Sequence, residues 1–198
     1  MTTEFEVKFL EIDGDALRQK LISVGAQNIY RERLMKRNVY MDEDPTRLSH
    51  QGKWLRLRDE GDKITLTLKQ EQGYHIESVK EVEIEINDFE KAHTLVLGLG
   101  FIQKSYQETR REKWLLDGVE VVIDTWPWMP SFIEIEGESE IIVKTVSDKM
   151  EMDWEKRMFG GVAKIYRKYF QADEDIINNF PRIVFEDSAP WKKINSDD

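Results

Sequence analysis

The chain has 198 residues, no cysteine and a formal net charge of −10, with 40% hydrophobic and 34% charged residues. This length supports one domain with a substantial core, and the lack of cysteine excludes disulfides, thiolate zinc sites and cysteine nucleophiles. The acidic balance argues against unspecific binding to nucleic acid or anionic membranes. The chain also lacks a signal-peptide pattern and a long uncharged apolar run, so we expect a cytoplasmic protein without a membrane segment.

The first half of the chain begins with alternating charged and apolar residues, which predict a strand over residues 4–9. An amphipathic helix follows, from a cap at Asp13 or Asp15 to a stop at Gly25. The same period of two then predicts further strands over residues 55–58 and 64–69.

The second half repeats the alternation over residues 81–86, and a helix is predicted from about residue 88 to Gly100. Three more strands are predicted, over residues 111–116, 119–124 and 132–136. The composition of residues 147–180 favours helices, with segments at 153–159 and 163–170 separated by two glycines. We expect one domain over residues 1–180 and a polar tail over residues 181–198, mobile from residue 187.

A weak internal repeat links the two halves. Glu4-x-Glu6 followed by a helix resembles Glu83-x-Glu85 followed by a helix, and Arg37-x-x-Tyr40 then falls where Arg111-x-x-Trp114 falls. If the repeat is real, two similar halves build one pseudo-symmetric sheet.

The charged faces of the strands are sorted by sign. Glutamates form three Glu-x-Glu pairs and arginines form one Arg-x-Arg pair: Glu4 with Glu6, Glu83 with Glu85, Glu134 with Glu136, and Arg56 with Arg58. A solvated face is the ordinary interpretation of charged positions on a sheet, but like charges adjacent on one face repel each other. Divalent cations would neutralise the carboxylates and phosphate would neutralise the arginines, so the sorting favours a ligand that contains both.

The apolar faces of the strands need cover, which the amphipathic helices can supply from outside. The charged faces must then point inward, and this arrangement predicts a closed or nearly closed antiparallel barrel with a polar lumen.

The motifs resemble those of the CYTH domain, a family also called the triphosphate tunnel metalloenzymes. The family signature Glu-x-Glu-x-Lys stands here as Glu4-Phe5-Glu6-Val7-Lys8. Later landmarks follow in the family's order: Tyr40-Met41-Asp42, Leu55-Arg56-Leu57-Arg58, Leu66-Thr67-Leu68-Lys69, Glu83-Ile84-Glu85, Arg111, Asp124 and Phe132-Ile133-Glu134-Ile135-Glu136-Gly137. The resemblance covers about residues 1–170. It implies an α+β fold in which helices surround an eight-stranded antiparallel tunnel that binds a triphosphate group.

The resemblance also implies roles for individual residues. The metal, Mg²⁺ or Mn²⁺, would be held by Glu4, Glu6, Asp124, Glu134 and Glu136. The phosphates would be held by Lys8, Arg56, Arg58, Lys69 and Arg111. The catalytic group would comprise Glu83 and Glu85, as further metal ligands or water-positioning carboxylates, together with Lys8.

Two positions depart from the family pattern. Thr109 stands where the family commonly carries a second basic residue, although Arg110 is adjacent. The loop Trp126-Pro127-Trp128-Met129-Pro130 replaces a short Leu-Gly turn. We interpret this loop as a hydrophobic plug, with a cover for a tunnel mouth or a stacking surface for a ring as the alternatives.

We expect metal-dependent hydrolysis of a small triphosphate: inorganic tripolyphosphate, thiamine triphosphate or a nucleoside triphosphate. One alternative is a class IV adenylyl cyclase that converts ATP to cyclic AMP and pyrophosphate. The other is a module that binds polyphosphate or a nucleotide without turnover. The protein is expected to act as a monomer or a homodimer.

Overall fold

The computed structural model describes residues 2–42, 49–71, 73, 75–76 and 79–194. The first half of the chain forms β1 (Thr2–Phe9), α1 (Gly14–Ser23), β2 (Gln27–Asp42), β3 (Lys53–Asp59) and β4 (Ile64–Glu71). The second half forms β5 (Val79–Ile86), α2 (Phe89–Gly98), β6 (Phe101–Leu116), β7 (Val119–Thr125) and β8 (Phe132–Gly137). The chain continues with α3 (Glu140–Lys149), α4 (Val162–Tyr169), α5 (Glu174–Asn178) and β9 (Arg182–Ile183).

The first eight strands form one closed antiparallel ring. Their order is β2-β3-β4-β5-β1-β8-β7-β6, and β6 pairs back with β2 over most of the length of both strands. The ninth strand, β9, adds in parallel to β6 outside the ring. The predicted α+β fold with an antiparallel tunnel of eight strands is therefore confirmed.

The lengths of corresponding elements agree with the internal repeat. Both β1 and β5 have 8 residues, α1 and α2 have 10, and β2 and β6 have 16. Two pairs of corresponding strands are also neighbours in the ring, since β1 pairs with β5 and β2 pairs with β6. The correspondence differs from the predicted one on β5, because Glu81 and Glu83 occupy the strand positions that Glu4 and Glu6 occupy on β1.

The hydrophobic core lies outside the ring, between the strands and the helices. Alternate residues of β1 and β8, including Val7, Ile133 and Ile135, are fully buried in a cluster with Leu21 of α1 and Val143 of α3. Val96 of α2 fills a separate cluster over β2 and β3. Because side chains alternate along a strand, the residues between these apolar positions face the interior of the ring.

The C-terminal part differs from the sequence prediction in three ways. The sequence analysis missed α3, whose Ile-Ile-Val run is β-branched, yet Ser139 caps this helix and Val143 and Val146 pack on the core. The helix predicted at residues 153–159 is a single 3₁₀ turn, Trp154–Lys156. Residues 182–194 pack against the domain, while the last residues of the predicted mobile tail, 195–198, lie outside the described residues. No helix of the described chain has the length and apolarity that crossing a membrane requires.

Candidate functional site

The ring encloses a cavity of about 710 Å³, and all eight of its strands contribute to the lining. The described lining carries ten basic and ten acidic side chains. Each residue that the sequence analysis assigned to the site is among them, except Glu85. The charged faces of the strands therefore converge on one interior space, as the alternation predicted.

On β5 the residues that line the cavity differ from the predicted ones, and the register of the repeat explains the difference. Glu85 is exposed near the end of β5 and does not belong to the described lining, whereas Glu81 and Glu83 line the cavity. Across the β1–β5 pairing, Thr2 lies opposite Glu81 and Glu4 lies opposite Val79. This register brings the corresponding residues Glu4 and Glu81 close together.

Along one wall of the cavity, acidic and basic side chains alternate in a row that we call the first charge ladder. Its members, in order, are Glu60, Arg58, Glu83, Arg56, Glu81, Lys69 and Glu4. Glu60 contacts Arg58. Glu83 lies 3.9 Å from Arg58 and 3.4 Å from Arg56, and Glu81 lies 4.0 Å from Arg56 and 2.9 Å from Lys69. Lys69 then reaches Glu4 at 3.0 Å.

The opposite wall carries the second charge ladder: Glu6, Lys8, Glu134, Arg111 and Asp124. Lys8 contacts Glu6 and lies 3.1 Å from Glu134. Arg111 donates to both carboxylate oxygens of Asp124, at 2.7 and 2.6 Å, and lies 3.5 Å from Glu134. Burial would raise the pKa of Glu134, but Lys8 and Arg111 bring the pKa of that carboxyl down to about 2. Burial would lower the pKa of Lys8, yet Glu134 and Glu6 raise it above its usual value.

Three carboxylates near the second ladder form a cluster that could bind a metal ion. Glu6, Glu134 and Glu136, here called the carboxylate triad, each offer an oxygen within 4.8 Å of the other two. Burial and the nearby charges of Glu4 and Glu134 raise the pKa of Glu136 to about 8. Burial likewise raises the pKa of Glu4 to about 7. A cluster of carboxylate oxygens fits a hard divalent cation such as Mg²⁺ or Mn²⁺, which would share Glu6 with Lys8, and Glu134 with Lys8 and Arg111.

Glu4 and Asp124, the other two predicted metal ligands, line the cavity and, like Glu6 and Glu134, are held in ion pairs. Lys69 lies 3.0 Å from Glu4, and Arg111 binds Asp124 through two N–H groups. The group of carboxylate oxygens that lie within 4.8 Å of one another does not include theirs.

Positive charge accumulates where β2 and β3 meet. Arg37 of β2 lies opposite Arg58 of β3, and these two with Arg56 form a group that we call the arginine trio. The Nη2 atom of each arginine contacts the protein: Thr109 holds Arg37 at 2.8 Å, Thr67 holds Arg56 at 3.3 Å, and Glu60 contacts Arg58. The Nε atom of each is buried without a hydrogen-bond partner in the described part of the chain.

Burial and neighbouring arginines disfavour the charged forms of two members of the arginine trio, Arg37 and Arg56. Burial and the positive charges of Arg56, Arg58 and Arg111 lower the pKa of Arg37 well below its usual value. Burial and the charge of Arg58 lower the pKa of Arg56 to about 10. Buried cations with free donors are costly unless an anion compensates them, so this end of the cavity is suited to an anionic group.

Sequence reasoning did not assign Arg37 to the site. The internal repeat could have identified it, because Arg37 is the eleventh residue of β2 and Arg111, which was assigned to the site, is the eleventh residue of β6. Arg110 does not take the place of the basic residue that the family commonly has at position 109. Its guanidinium lies outside the cavity, 4.4 Å from the centre of the Phe185 ring, whereas Arg37 reaches Thr109 from the neighbouring strand.

The aromatic loop of residues 126–130 fits its interpretation as a hydrophobic plug. Trp126 and Trp128 pack in one cluster with Tyr166 of α4, Phe180 and Trp191. Trp126 also lines the cavity, beside the first residues of α4. The loop, α4 and the C-terminal segment therefore form an apolar wall on one side of the charged space.

Comparisons with known proteins agree with this architecture. The sequence matches the family model of the CYTH domain over residues 2–164. No curated protein matches the sequence significantly.

Three solved structures illustrate the similarity of fold. A conserved hypothetical protein from Pyrococcus furiosus is 24% identical, with 78% of this chain and 94% of that chain covered and a TM-score of 0.63. A candidate adenylate cyclase from Vibrio parahaemolyticus is 15% identical, with coverages of 84% and 98% and a TM-score of 0.70. A candidate adenylyl cyclase from Hippeastrum, described as having a dominant triphosphatase activity, is 16% identical, with coverages of 84% and 94% and a TM-score of 0.54.

The family model spans most of the chain and ends within α4, so it includes the whole ring and both charge ladders. The chain therefore belongs to the CYTH domain family.

Proposed function

We propose that this protein is a metal-dependent phosphohydrolase that removes the terminal phosphate from a small triphosphate. The observation that carries the proposal is the pairing of the carboxylate triad and the arginine trio in one cavity. The triad matches a divalent cation, and the trio matches the oxygens of a phosphate chain. A metal–triphosphate complex supplies both kinds of charge at once.

The metal would be held by Glu6, Glu134 and Glu136, with Glu4 and Asp124 beside them in ion pairs. A divalent cation bound there would neutralise charge on the phosphate oxygens and make the phosphorus more electrophilic. Lys8 lies among these carboxylates, in contact with Glu6 and 3.1 Å from Glu134, so we assign it to the phosphate chain next to the metal.

The remaining cations would hold and orient the substrate. Arg37, Arg56 and Arg58 line the cavity and would bind phosphate oxygens, and Lys69 and Arg111 extend this positive surface along both ladders. Phosphoryl transfer depends mainly on positioning and on neutralising charge, and this chain would supply both with side chains fixed on strands.

A carboxylate of β5 would orient the attacking water. Glu83 accepts a hydrogen bond from the Thr67 hydroxyl at 2.8 Å. Burial would raise its pKa, but this hydrogen bond and the charges of Arg58 and Arg56 lower the pKa of Glu83 below its usual value. An ionised carboxylate is a good acceptor for a water proton. Because Glu85 is exposed, we assign the second carboxylate position on β5 to Glu81.

The proposal is tested by measuring products from tripolyphosphate, thiamine triphosphate and ATP, each with Mg²⁺ and with Mn²⁺. We expect release of inorganic phosphate that EDTA abolishes. The variant Glu136→Gln should lower kcat/KM by at least about 100-fold, because one metal ligand is lost. The matched control is Glu155→Gln, whose carboxylate is 87% exposed, and it should retain the activity of the wild type.

Two other outcomes would contradict hydrolysis. Cyclic AMP and pyrophosphate from ATP, in place of inorganic phosphate, would identify an adenylyl cyclase. An absence of turnover, combined with a melting temperature raised by the triphosphates, would identify a binding module.

A further inference from the structure

A buried carboxylate occupies the hairpin that joins β3 and β4. Glu60 has only 4% of its surface exposed, although residues in such turns usually face solvent. Its N–H donates to the carbonyl of Lys63 at 2.9 Å, and the N–H of Gly61 donates to Asp59 at 2.8 Å. Gly61 has φ +90°, which a tight turn of this shape requires and which glycine adopts without strain. The turn therefore directs Glu60 inward.

The hairpin is also anchored to β2. Arg33 donates to the carbonyl oxygen of Glu60 at 3.0 Å and pairs with Asp62 at 2.6 Å. The guanidinium of Arg33 itself lies 3.5 Å from the centre of the Tyr30 ring. Glu60 is thus held through its backbone from two sides, and its side chain has little freedom to leave the cavity.

Within the cavity, Glu60 is the closest acidic partner of Arg58. The two side chains are in contact, whereas Glu83 lies 3.9 Å from Arg58 and is shared with Arg56. Lys63, which lies 3.9 Å from Glu60, is 39% exposed and approaches the same carboxylate from the hairpin. The contact to Glu60 occupies Nη2 of Arg58 and leaves its buried Nε without a partner.

The neighbours of Arg58 would displace it if this contact were absent. Arg37 lies opposite Arg58 in the β2–β3 pairing, and Arg56 lies two residues away on the same face of β3. Like charges at such positions repel, and a long side chain without a partner adopts several rotamers. A fixed carboxylate on the far side of Arg58 counteracts both effects.

We propose that Glu60 is a positioning residue that fixes the guanidinium of Arg58, so that the N–H donors that Glu60 does not contact can bind a phosphate group. The proposal rests on the proposed function in taking a triphosphate as the ligand. It predicts that removal of a negative charge near the phosphate site weakens binding of an anion. Simple electrostatics predicts the opposite, so the sign of the effect decides between the two.

The experiment measures the dissociation constant of imidotriphosphate, a triphosphate analogue that resists hydrolysis, by calorimetry in the presence of Mg²⁺. Glu60→Gln should weaken binding by about tenfold, which corresponds to a coupling of about 1.4 kcal/mol. Glu32→Gln is the matched control, because it is the same substitution at an exposed carboxylate of β2 that does not belong to the described cavity lining. It should stay within about twofold of the wild type.

A double-mutant cycle distinguishes positioning from a general structural effect. In the Arg58→Ala background, Glu60→Gln should change binding by less than about twofold, because Glu60 would act only through Arg58. The proposal is overturned if Glu60→Gln binds as tightly as the wild type or more tightly. It is equally overturned if the loss is the same with and without Arg58.

A second measurement needs no ligand and separates this proposal from the proposed function. The Nε–H group of Arg58 can be followed by ¹⁵N relaxation, with its signal assigned by Arg58→Lys. We expect this group to be rigid in the wild type and mobile in Glu60→Gln. If the wild type fails to bind imidotriphosphate but Arg58 loosens as expected, only the proposed function fails. If Arg58 is equally rigid in both proteins, Glu60 does not position it.

Discussion

Among the four arginines of the described cavity lining, three have a carboxylate within 4.0 Å. Arg37 is the exception: its hydrogen bond goes to Thr109, and its guanidinium lies 4.6 Å from the centre of the Trp126 ring. A buried cation without a counter-charge lowers the stability of the empty protein and is retained where a ligand supplies the missing charge. Arg37 is therefore expected to lower the stability of the ligand-free protein and to raise its affinity for an anionic ligand.

This combination predicts that stability and binding change in opposite directions at Arg37. Arg37→Met keeps most of the apolar volume and removes the charge, so we expect a higher melting temperature of the ligand-free protein. The same variant should weaken imidotriphosphate binding by about 10-fold or more, because a charged hydrogen bond is lost. Thermal melts and calorimetry measure the two effects. Arg167→Met, at a position 54% exposed, is the control for the substitution itself. A melting temperature that falls together with affinity would contradict this account.

The carboxyl groups of Glu4 and Glu136 predict how pH affects the metal-free protein. Their pKa values are raised in the fold, to about 7 and about 8, from 4.5. Between pH 5 and 8 the folded state then binds more protons than the unfolded state, so the free energy of unfolding should fall as pH rises. Groups whose pKa is lowered, such as Glu134, change the free energy of unfolding only below pH 5.

Melting temperatures in EDTA across pH 5 to 8 test this prediction. We expect a decline in the wild type and a shallower slope in Glu136→Gln. Added Mg²⁺ should recover more stability at pH 8 than at pH 5, since metal binding requires the ionised carboxylates. A wild-type melting temperature that increases steadily over this range would be inconsistent with the raised pKa values.

At the scale of elements, the C-terminal segment completes the domain. The indole of Trp191 contacts four aromatic rings, those of Trp128, Tyr166, Phe170 and Phe180, at centroid distances of 5.0 to 6.1 Å. The backbone of this segment also pairs with the end of α4, where the N–H of Ile194 donates to Tyr169. The plug is therefore built from the aromatic loop, α4 and α5, with Trp191 packed across them.

We expect Trp191→Ala to lower the free energy of unfolding by about 2–4 kcal/mol, because a large half-buried ring is lost from a packed cluster. Lys193→Ala, an exposed neighbour in the same segment, should change it by less than about 0.5 kcal/mol. Urea unfolding measures both variants. Equal stability of the two variants would show that the ring contacts of Trp191 contribute little.

The elements that the sequence predicted well are those with a clear period. Alternation identified the short strands and their inner faces, and the caps at Asp13 and Asp88 together with Gly25 and Gly100 bounded α1 and α2. Tertiary packing decided the rest. The β-branched start of α3 is helical because its apolar side meets the core, and Trp154–Lys156 remains a single turn because no longer apolar stripe continues there.

The types of residue in the site could be predicted from the sequence. Which of these residues contact one another was harder to predict. Strands whose charged residues share one sign identified the wall of the cavity. Periodicity could not show that Glu81 rather than Glu85 lines it, because both residues lie on the same face of β5. Arg37 and Glu60 were missed for a related reason: each acquires its role through a contact across strands or turns, with Thr109 and with Arg58. Such contacts depend on register, which local sequence does not specify.

For the whole molecule, ligand binding should appear as added stability. At a concentration 100 times its dissociation constant, a ligand adds about 2.7 kcal/mol to the free energy of unfolding. For a domain of this size, that corresponds to a rise of about 5–10 °C in melting temperature. We expect this rise with imidotriphosphate and Mg²⁺ together. With Glu136→Gln, the part of the rise that depends on Mg²⁺ should disappear, and a full rise in that variant would remove Glu136 from the metal site.

The balance of charge in the cavity has a consequence for what can approach it. Ten basic and ten acidic side chains cancel in formal charge along the described lining, so the net charge of −10 resides in the rest of the chain. A long polyanion, such as an RNA strand with a 5′-triphosphate, would have to bring its phosphodiester backbone against this negative exterior. A compact metabolite carries no such appendage. We therefore expect the protein to discriminate between triphosphates by the size of the leaving group. At low salt it should bind neither capped nor uncapped RNA transcripts.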